Sequence, residues 1–471
     1  MGSVFHVENF GCRAARADGE AVSQRLRAGG LAEDGPAAAD VVIVNTCSVT
    51  AEADRAARAF IRRTKRVNPD ARILVTGCYA QRAPEELAAI EGVSAVVGNS
   101  HKALAPEIAI RLARGFPDPD SVPPRANLLP VRSLLAGSKP VETPIWVDDR
   151  FEHSFVEEGG LVPGAQTRPN LKIQEGCGNR CTFCIIPQTR GHSRSLAADS
   201  VLAQVRKFVL SSGKELVLSG INLGRWGMDL PADNGTRPSL ARLVGRIFEE
   251  TDLPRLRLSS IEPMDWNADL IALLREYGGN RLARHVHLPL QSGSDAVLRR
   301  MHRRYRPWHY VEKVATLLDA AGPHLTVGAD VMVGFPGETD REFEETCQLL
   351  RDLPFGYLHL FPFSPRPGTP GWAMHAESPV PTAVVEERLA RLRSLAEDKV
   401  RAHRSRFLAM SLDCITLNTP AAVNGRGSTL ALSENFLPVE IGSHLPPNRF
   451  INVLVTAVGP DLALFAMPGS I

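Results

Sequence analysis

Three cysteines, Cys177, Cys181 and Cys184, sit in the phrase EGCGNRCTFC with three and then two residues between them. Thiolates this close in sequence read as a metal or iron–sulfur cluster site. Three thiolates leave one iron of a four-iron cluster without a protein ligand, and an open position can take a substrate or cofactor. A zinc site completed by His192 is the other reading of the same residues. Cys12, Cys47 and Cys78 are far apart, yet each follows a strand-like run: FHVENFGC, VVIVNTC and RILVTGC. In a parallel sheet the three thiols would converge over one edge, where open α/β sheets bind ligands. Three unrelated buried thiols are the alternative. Cys347 and Cys414 stand at no ligand spacing and read as buried thiols.

The elements that must position these residues come in three blocks. From Val4 to about Leu112, strand-like runs (Val4–Val7, Val41–Val44, Ile73–Val75, Ala95–Val97) alternate with helical stretches such as Glu20–Ala28 and Glu52–Arg66. This predicts a doubly wound parallel sheet. From about Gly115 the periodicity is lost through FPDPDSVPP, GSKPVETP and EEGGLVPG, which reads as a proline-rich linker. A second alternation follows, with strands at Leu171–Gln174, Glu215–Ser219, Leu256–Ser259, His285–Leu288, Thr326–Val333 and Tyr357–Phe361. Six β/α units predict a partial (β/α)6 barrel, with the cysteine triple at the carboxyl end of its first strand. The last block is rich in Val, Leu, Thr, Gly and Pro without a long helix, which predicts a small all-β barrel. The expected division is 1–114, a linker at 115–165, 166–404 and 405–471.

Composition bounds the function. The chain has 471 residues, with 54 basic and 52 acidic side chains and a formal charge of +2. Near-neutrality excludes nucleic-acid binding by bulk charge but allows local patches. Candidate patches are Arg62–Arg66, Arg299–Arg306 and Arg401–Arg406; a solvated helix face is the alternative for each. No run of about 18 apolar residues predicts a membrane span. Eight cysteines without a signal-like start predict reduced thiols in a cytoplasmic protein.

With the CxxxCxxC triple opening a partial barrel, the chain resembles the radical S-adenosylmethionine (SAM) superfamily. The phrases GCGNRCTFCIIPQTRGHSRS, NFGC, NTCSVT, TGCYAQ, HLPLQSGSDAVLRRMHRRY and DVMVGFPGET narrow the resemblance to the methylthiotransferases. NTCSVTAEAD, SGINLGRWG and LSSIEP are most similar to the branch acting on N6-threonylcarbamoyladenosine in tRNA. Branches acting on N6-isopentenyladenosine or on an aspartate of a ribosomal protein are the runners-up, and a non-catalytic iron–sulfur RNA-binding redox sensor is a different class.

The resemblance implies a four-iron–four-sulfur cluster on Cys177, Cys181 and Cys184, whose open iron chelates SAM. It implies a second such cluster on Cys12, Cys47 and Cys78, two SAM per turnover, and a C-terminal RNA-binding barrel of the TRAM type. The implied partners are the tRNA anticodon arm, an external electron donor such as a flavodoxin or ferredoxin, and a sulfur donor; the default state is a monomer. Further SAM contacts are implied at Phe183, Ser219, Gly220, Gln291, Ser292 and the turn Gly334-Phe335-Pro336-Gly337, where small residues let backbone approach a ligand. A simple tight turn is the alternative there. Arg190 and Arg194 suit a carboxylate or phosphate, or else a solvated surface. Glu262 suits the threonylcarbamoyl group or SAM, or else a buried structural role.

Overall fold

The computed structural model describes residues 3–115, 143–153, 167–232 and 235–469. The chain forms two compact units. One comprises the described residues of Met1–Gly160 with Glu175–Asn179 and Cys184–Ser193; the other comprises those of Leu161–Gln174, Arg180–Phe183 and Arg194–Ile471. Among the described residues, no helix is long and apolar enough to cross a membrane.

In the first unit, β1 (Val4–Asn9), β2 (Ala32–Glu33), β3 (Val41–Thr46), β4 (Arg72–Gly77), β5 (Val93–Gly98) and β6 (Ile145–Trp146) form one parallel sheet in the order β2-β1-β3-β4-β5-β6. Alternate residues of the central strands feed two cores. Val42, Val44, Ile73 and Val75 pack with Phe60, Ile61 and Tyr79 on one face. Val41, Ile43 and Leu74 pack with Val22, Leu26 and Ile108 on the other. Burial on both faces is why these strands read as continuous apolar runs. Helix Ala51–Val67 starts where Thr50 accepts a hydrogen bond from Ala53 N, and its acidic first turn and basic last turn suit the helix dipole. Ile145–Trp146 lies within the stretch expected to be linker. It instead pairs with Val96 and Val97, where two apolar residues cover the edge of β5. Residues 116–142 and 154–165 of that stretch lie outside the described residues.

The second unit begins with β7 (Asn170–Glu175), β8 (Arg194–Ser195), β9 (Glu215–Gly220) and β10 (Arg255–Leu258), ordered β10-β9-β7-β8. Strands β11 (His285–His287), β12 (Thr326–Val333) and β13 (Phe355–Pro362) form a parallel continuation, joined to β10 by a bridge between Leu256 and Leu282. Among the described residues nothing pairs β13 with β7, so the barrel is partial. Leu216, Leu218, Leu256, Leu258, Val327 and Val331 face the helices in one large core. The opposite face of these strands carries Glu215, Ser219, Arg255, Arg257 and Asp330, so the inside of the barrel is polar. Glu215 is wholly buried there, 2.9 Å from Arg257 and 3.5 Å from Arg255. Burial alone would raise its pKa, but Arg257, Arg168 and Arg255 outweigh that and hold it below the ordinary value.

The chain ends in a closed barrel of β14 (Ser411–Thr416), β15 (Thr429–Ser433), β16 (Pro438–Ile441), β17 (Phe450–Val458) and β18 (Leu464–Pro468). Its turn after β15 grips the start of the β10 and β11 strands. Arg257 donates to Ser433 O at 3.2 Å, Arg284 holds Glu434 at 2.6 and 2.8 Å, and Phe436 stacks on His285 with centroids 4.1 Å apart.

Candidate metal and cofactor centre

Cys12, Cys47 and Cys78 follow the carboxyl ends of β1, β3 and β4, three neighbours in one parallel sheet. The sheet brings them together. Burial first, then the nearby Cys78 and Cys12, push the Cys47 thiol up to about 12. A thiol placed as Cys47 is resists ionising, and a cation of high charge beside it reverses that preference. The donor set fits an iron–sulfur cluster. Gly11 has φ +105°, and a Cβ there would stand 2.5 Å from Cys47 Cβ and 2.7 Å from its Sγ, so glycine is required where the chain passes the thiol.

Hydrogen-bond donors aim at these sulfurs. Asn99 Nδ2 and Arg190 Nε each lie 3.3 Å from Cys78 Sγ, and Val49 N lies 3.5 Å from Cys47 Sγ. Arg190 Nη1 also holds Glu175 at 2.7 Å and Asp18 at 3.2 Å. Lys102 Nζ stands 2.5 Å from Asp18 and 3.7 Å from Glu175. All four charged side chains are at most 2% exposed. Burial alone would lower the Arg190 pKa, but Cys78, Glu175 and Asp18 hold it well above the ordinary value. Arg190 therefore serves carboxylates and a sulfur of the protein itself, and its surface is not solvated.

The triple lies on residues 176–185, between β7 and a short helix, Ile186–Arg190. Cys177 N donates to Gly191 O at 3.0 Å, and Asn179 N donates to Cys177 Sγ at 3.4 Å. In the second unit, Arg303 Nη1 lies 3.3 Å from Cys181 Sγ while its Nη2 holds Glu262 at 2.5 Å. Burial works against the Arg303 charge, and Tyr305, Glu262 and Cys181 outweigh it. Glu262 is thus the partner of a sulfur-directed arginine.

The other expected residues divide. Among the described residues, Ser219 Oγ and Gln291 Oε1 are buried with no hydrogen-bond partner, as a polar ligand would require of its contacts. Gln291 also holds φ +66°. Gly220 lies against Gln174, whose Oε1 accepts from Asn222 N at 2.7 Å. Ser292 Oγ is 3.1 Å from Thr346 Oγ1, and Phe335 packs edge-on against Phe363 in the core, so both side chains are engaged inside the protein. Gly334 has φ +75° and donates its N–H to Glu338 at 2.8 Å; Gly337 follows at φ +69°, with Pro336 between them. Phe183 is partly buried against the barrel core, and Arg194 lies on β8. Cys347 and Cys414 are buried, and burial pushes Cys414 up to about 12.

The basic runs also divide. Arg299, Arg300, Arg303 and Arg304 pair with Asp295, Glu342, Glu262 and Asp265, so that run is largely neutralised within the chain. Arg62, Lys65 and Arg66 line an open cleft of about 820 Å³ with Arg58, Tyr79, Glu86 and Glu91, so basic side chains outnumber acidic ones there.

Comparison with known proteins matches residues 171–350 to the radical SAM superfamily and residues 4–98 to uncharacterized protein family UPF0004. The threonylcarbamoyladenosine tRNA methylthiotransferase MtaB of Bacillus subtilis is 33% identical over 92% of this chain and 89% of its own length. The protein of the same name from Rickettsia prowazekii is 32% identical over 93% and 91%. Among solved structures, a radical S-adenosylmethionine methyltransferase, TsrM, from Kitasatospora setae covers 80% of this chain and 78% of its own, at 16% identity and TM-score 0.52. That last likeness is one of fold.

Proposed function

The chain belongs to the threonylcarbamoyladenosine tRNA methylthiotransferases, and from that premise we propose how its residues carry the reaction. It is a radical SAM methylthiotransferase that converts N6-threonylcarbamoyladenosine in tRNA to its 2-methylthio form, at adenine C2 of position 37. The observation that best supports this reading is the convergence of Cys12, Cys47 and Cys78 in a chain that also carries the CxxxCxxC triple.

Cys177, Cys181 and Cys184 would hold one four-iron–four-sulfur cluster, and Cys12, Cys47 and Cys78 a second. When bound, reduced cluster and SAM supply one-electron chemistry able to remove hydrogen from an unactivated adenine carbon. The protein's own residues hold and shield. Arg303, itself fixed by Glu262, orients Cys181. Asn99 and Arg190 direct N–H groups at Cys78 Sγ and so fix where that sulfur points. The orphaned Ser219 Oγ and Gln291 Oε1 suit the polar groups of SAM. The reaction would consume two SAM per turnover, one for the one-electron chemistry and one as the source of the methyl group. Electrons come from an external donor of the flavodoxin or ferredoxin kind, and sulfur from a separate donor. The terminal barrel and the Arg62–Arg66 cleft are the surfaces offered to the anticodon arm, and the protein works in the cytoplasm as a monomer.

Nucleoside mass spectrometry of tRNA tests the reading. A strain lacking the gene should accumulate the unmethylthiolated nucleoside, and the wild-type gene should restore the product. Undiminished product in a strain with no second such enzyme refutes it.

A further inference from the structure

Outside the cysteine sites, the second unit gathers another set of ligand-type side chains. His287 ends β11, Asp330 lies in β12 and His359 in β13, and the register sets Asp330 directly opposite His359. The intervening residues Val286 and Val331 point into the hydrophobic core, so the three polar side chains share the inner face. His287 Nε2 is 3.0 Å from Asp330 Oδ2, and His359 Nδ1 is 3.2 Å from Asp330 Oδ1. One ligand atom from each residue lies within 4.8 Å of the other two. A metal with bonds of about 2.1 Å sets its neighbouring ligands roughly 3 Å apart, so small side-chain shifts suffice to close on an ion.

The surroundings suit a cation as well. The second nitrogen of His287, Nδ1, is 2.9 Å from Tyr357 OH, which is also 2.8 Å from His285 Nε2. An outer hydrogen bond of this kind fixes the ring and tautomer of a metal-binding histidine. Exposure is graded: the side chains are 9% exposed at His287, 26% at Asp330 and 60% at His359. The set is rigid at its inner end and reachable at its outer end. The sequence phrases HLPLQSGS and DVMVGFPGET contain His287 and Asp330, and the reaction described above uses neither residue.

We propose that His287, Asp330 and His359 bind one divalent transition cation of the Zn2+ or Fe2+ kind. Two imidazoles and one carboxylate leave open coordination positions, to be filled by water or an oxygen ligand on the exposed side at His359. The ion ties β11, β12 and β13 together at the edge where the barrel is not closed. The site stands independently of which nucleoside the enzyme modifies.

The test uses the holoenzyme, with both cysteine sites loaded with iron and sulfide. It is equilibrated anaerobically with Zn2+, dialysed, and analysed for zinc and iron together. Wild type should retain about one zinc per chain with its iron unchanged, as a site of this ligand count would. Asp330→Asn and His359→Gln should lower zinc affinity strongly, and Tyr357→Phe, which keeps all three ligands and removes the hydroxyl's bonds to His287 and His285, by roughly 10- to 100-fold. Zinc retention in wild type no greater than in Asp330→Asn, or zinc gained at the expense of iron, overturns the proposal and leaves an ion-pair network. If Asp330→Asn fails to hold iron, the more exposed His359→Gln decides on the same criterion.

Discussion

Removing the Arg190 guanidinium should unbalance a fully buried charge cluster. In the wild type, Arg190 and Lys102 face Asp18 and Glu175, two cations against two anions, with Arg190 Nη1 2.7 Å from Glu175 and 3.2 Å from Asp18. Arg190→Gln leaves both carboxylates to Lys102 alone, one of them at 3.7 Å. Breaking a buried pair and stranding its partner costs about 3–5 kcal/mol. At 1.36 kcal/mol per tenfold, exchange of the β1, β3 and β4 amides with deuterium should quicken by roughly 10²- to 10⁴-fold. The double variant Arg190→Gln/Glu175→Gln restores one cation against one anion and should recover at least half of that loss. Hydrogen–deuterium exchange of the full chain reads both. Exchange in the single variant within threefold of wild type, or a double variant no better protected than the single, would refute the charge-balance argument.

Replacing Cys12, Cys47 and Cys78 with alanine should halve the iron content while SAM is still cleaved, and should abolish the methylthio product; iron analysis with 5′-deoxyadenosine and nucleoside chromatography checks this. Gly11→Ala, which drives a Cβ to 2.5 Å from Cys47 at a positive φ, should lose the same half of the iron while Cys12, Cys47 and Cys78 all remain. His403 is buried beside Thr326 Oγ1 at 3.0 Å, and burial, then Arg406 and Arg404, push its pKa from 6.5 down to about 4. Between those values the unfolded chain binds a proton that the folded chain refuses, so stability falls as pH falls through that window, by about 3 kcal/mol in all. Urea midpoints of His403→Gln should lack this part of the slope; an unchanged slope contradicts the assignment.

Much of the architecture was legible in the sequence for physical reasons. Strands β3, β4, β9 and β12 are apolar runs rich in branched residues because both their faces or one deep face are buried, and those runs announce themselves. The cysteine triple is visible in its spacing, and the Cys12–Cys47–Cys78 set in its place after successive strands. Helix Pro307–Ala321 opens with a proline suited to the first helical position, but it follows the short helix Asp295–Arg300 with no strand between them, so the β/α alternation does not announce it. Ile145–Trp146 is too short to carry a period. Asp18, Asn99, Lys102 and Arg303 matter through distant partners: Asp18 meets Lys102 across 84 positions and Arg303 meets Cys181 across 122. No local pattern marks such pairs. The run Arg299–Arg306 shows the converse, since its cluster of charge is visible in sequence while the carboxylates that neutralise it are not.

The central claim is that two cysteine sites in one chain place a methylthio group on threonylcarbamoyladenosine in tRNA. The most direct measurement incubates the reconstituted enzyme with SAM, a reductant and two tRNAs, one bearing N6-threonylcarbamoyladenosine and one N6-isopentenyladenosine, and digests both for nucleoside mass spectrometry. The account predicts the 2-methylthio product from the first tRNA alone, accompanied by 5′-deoxyadenosine. Release of 5′-deoxyadenosine with the first nucleoside unchanged, or product from the second tRNA only, contradicts it.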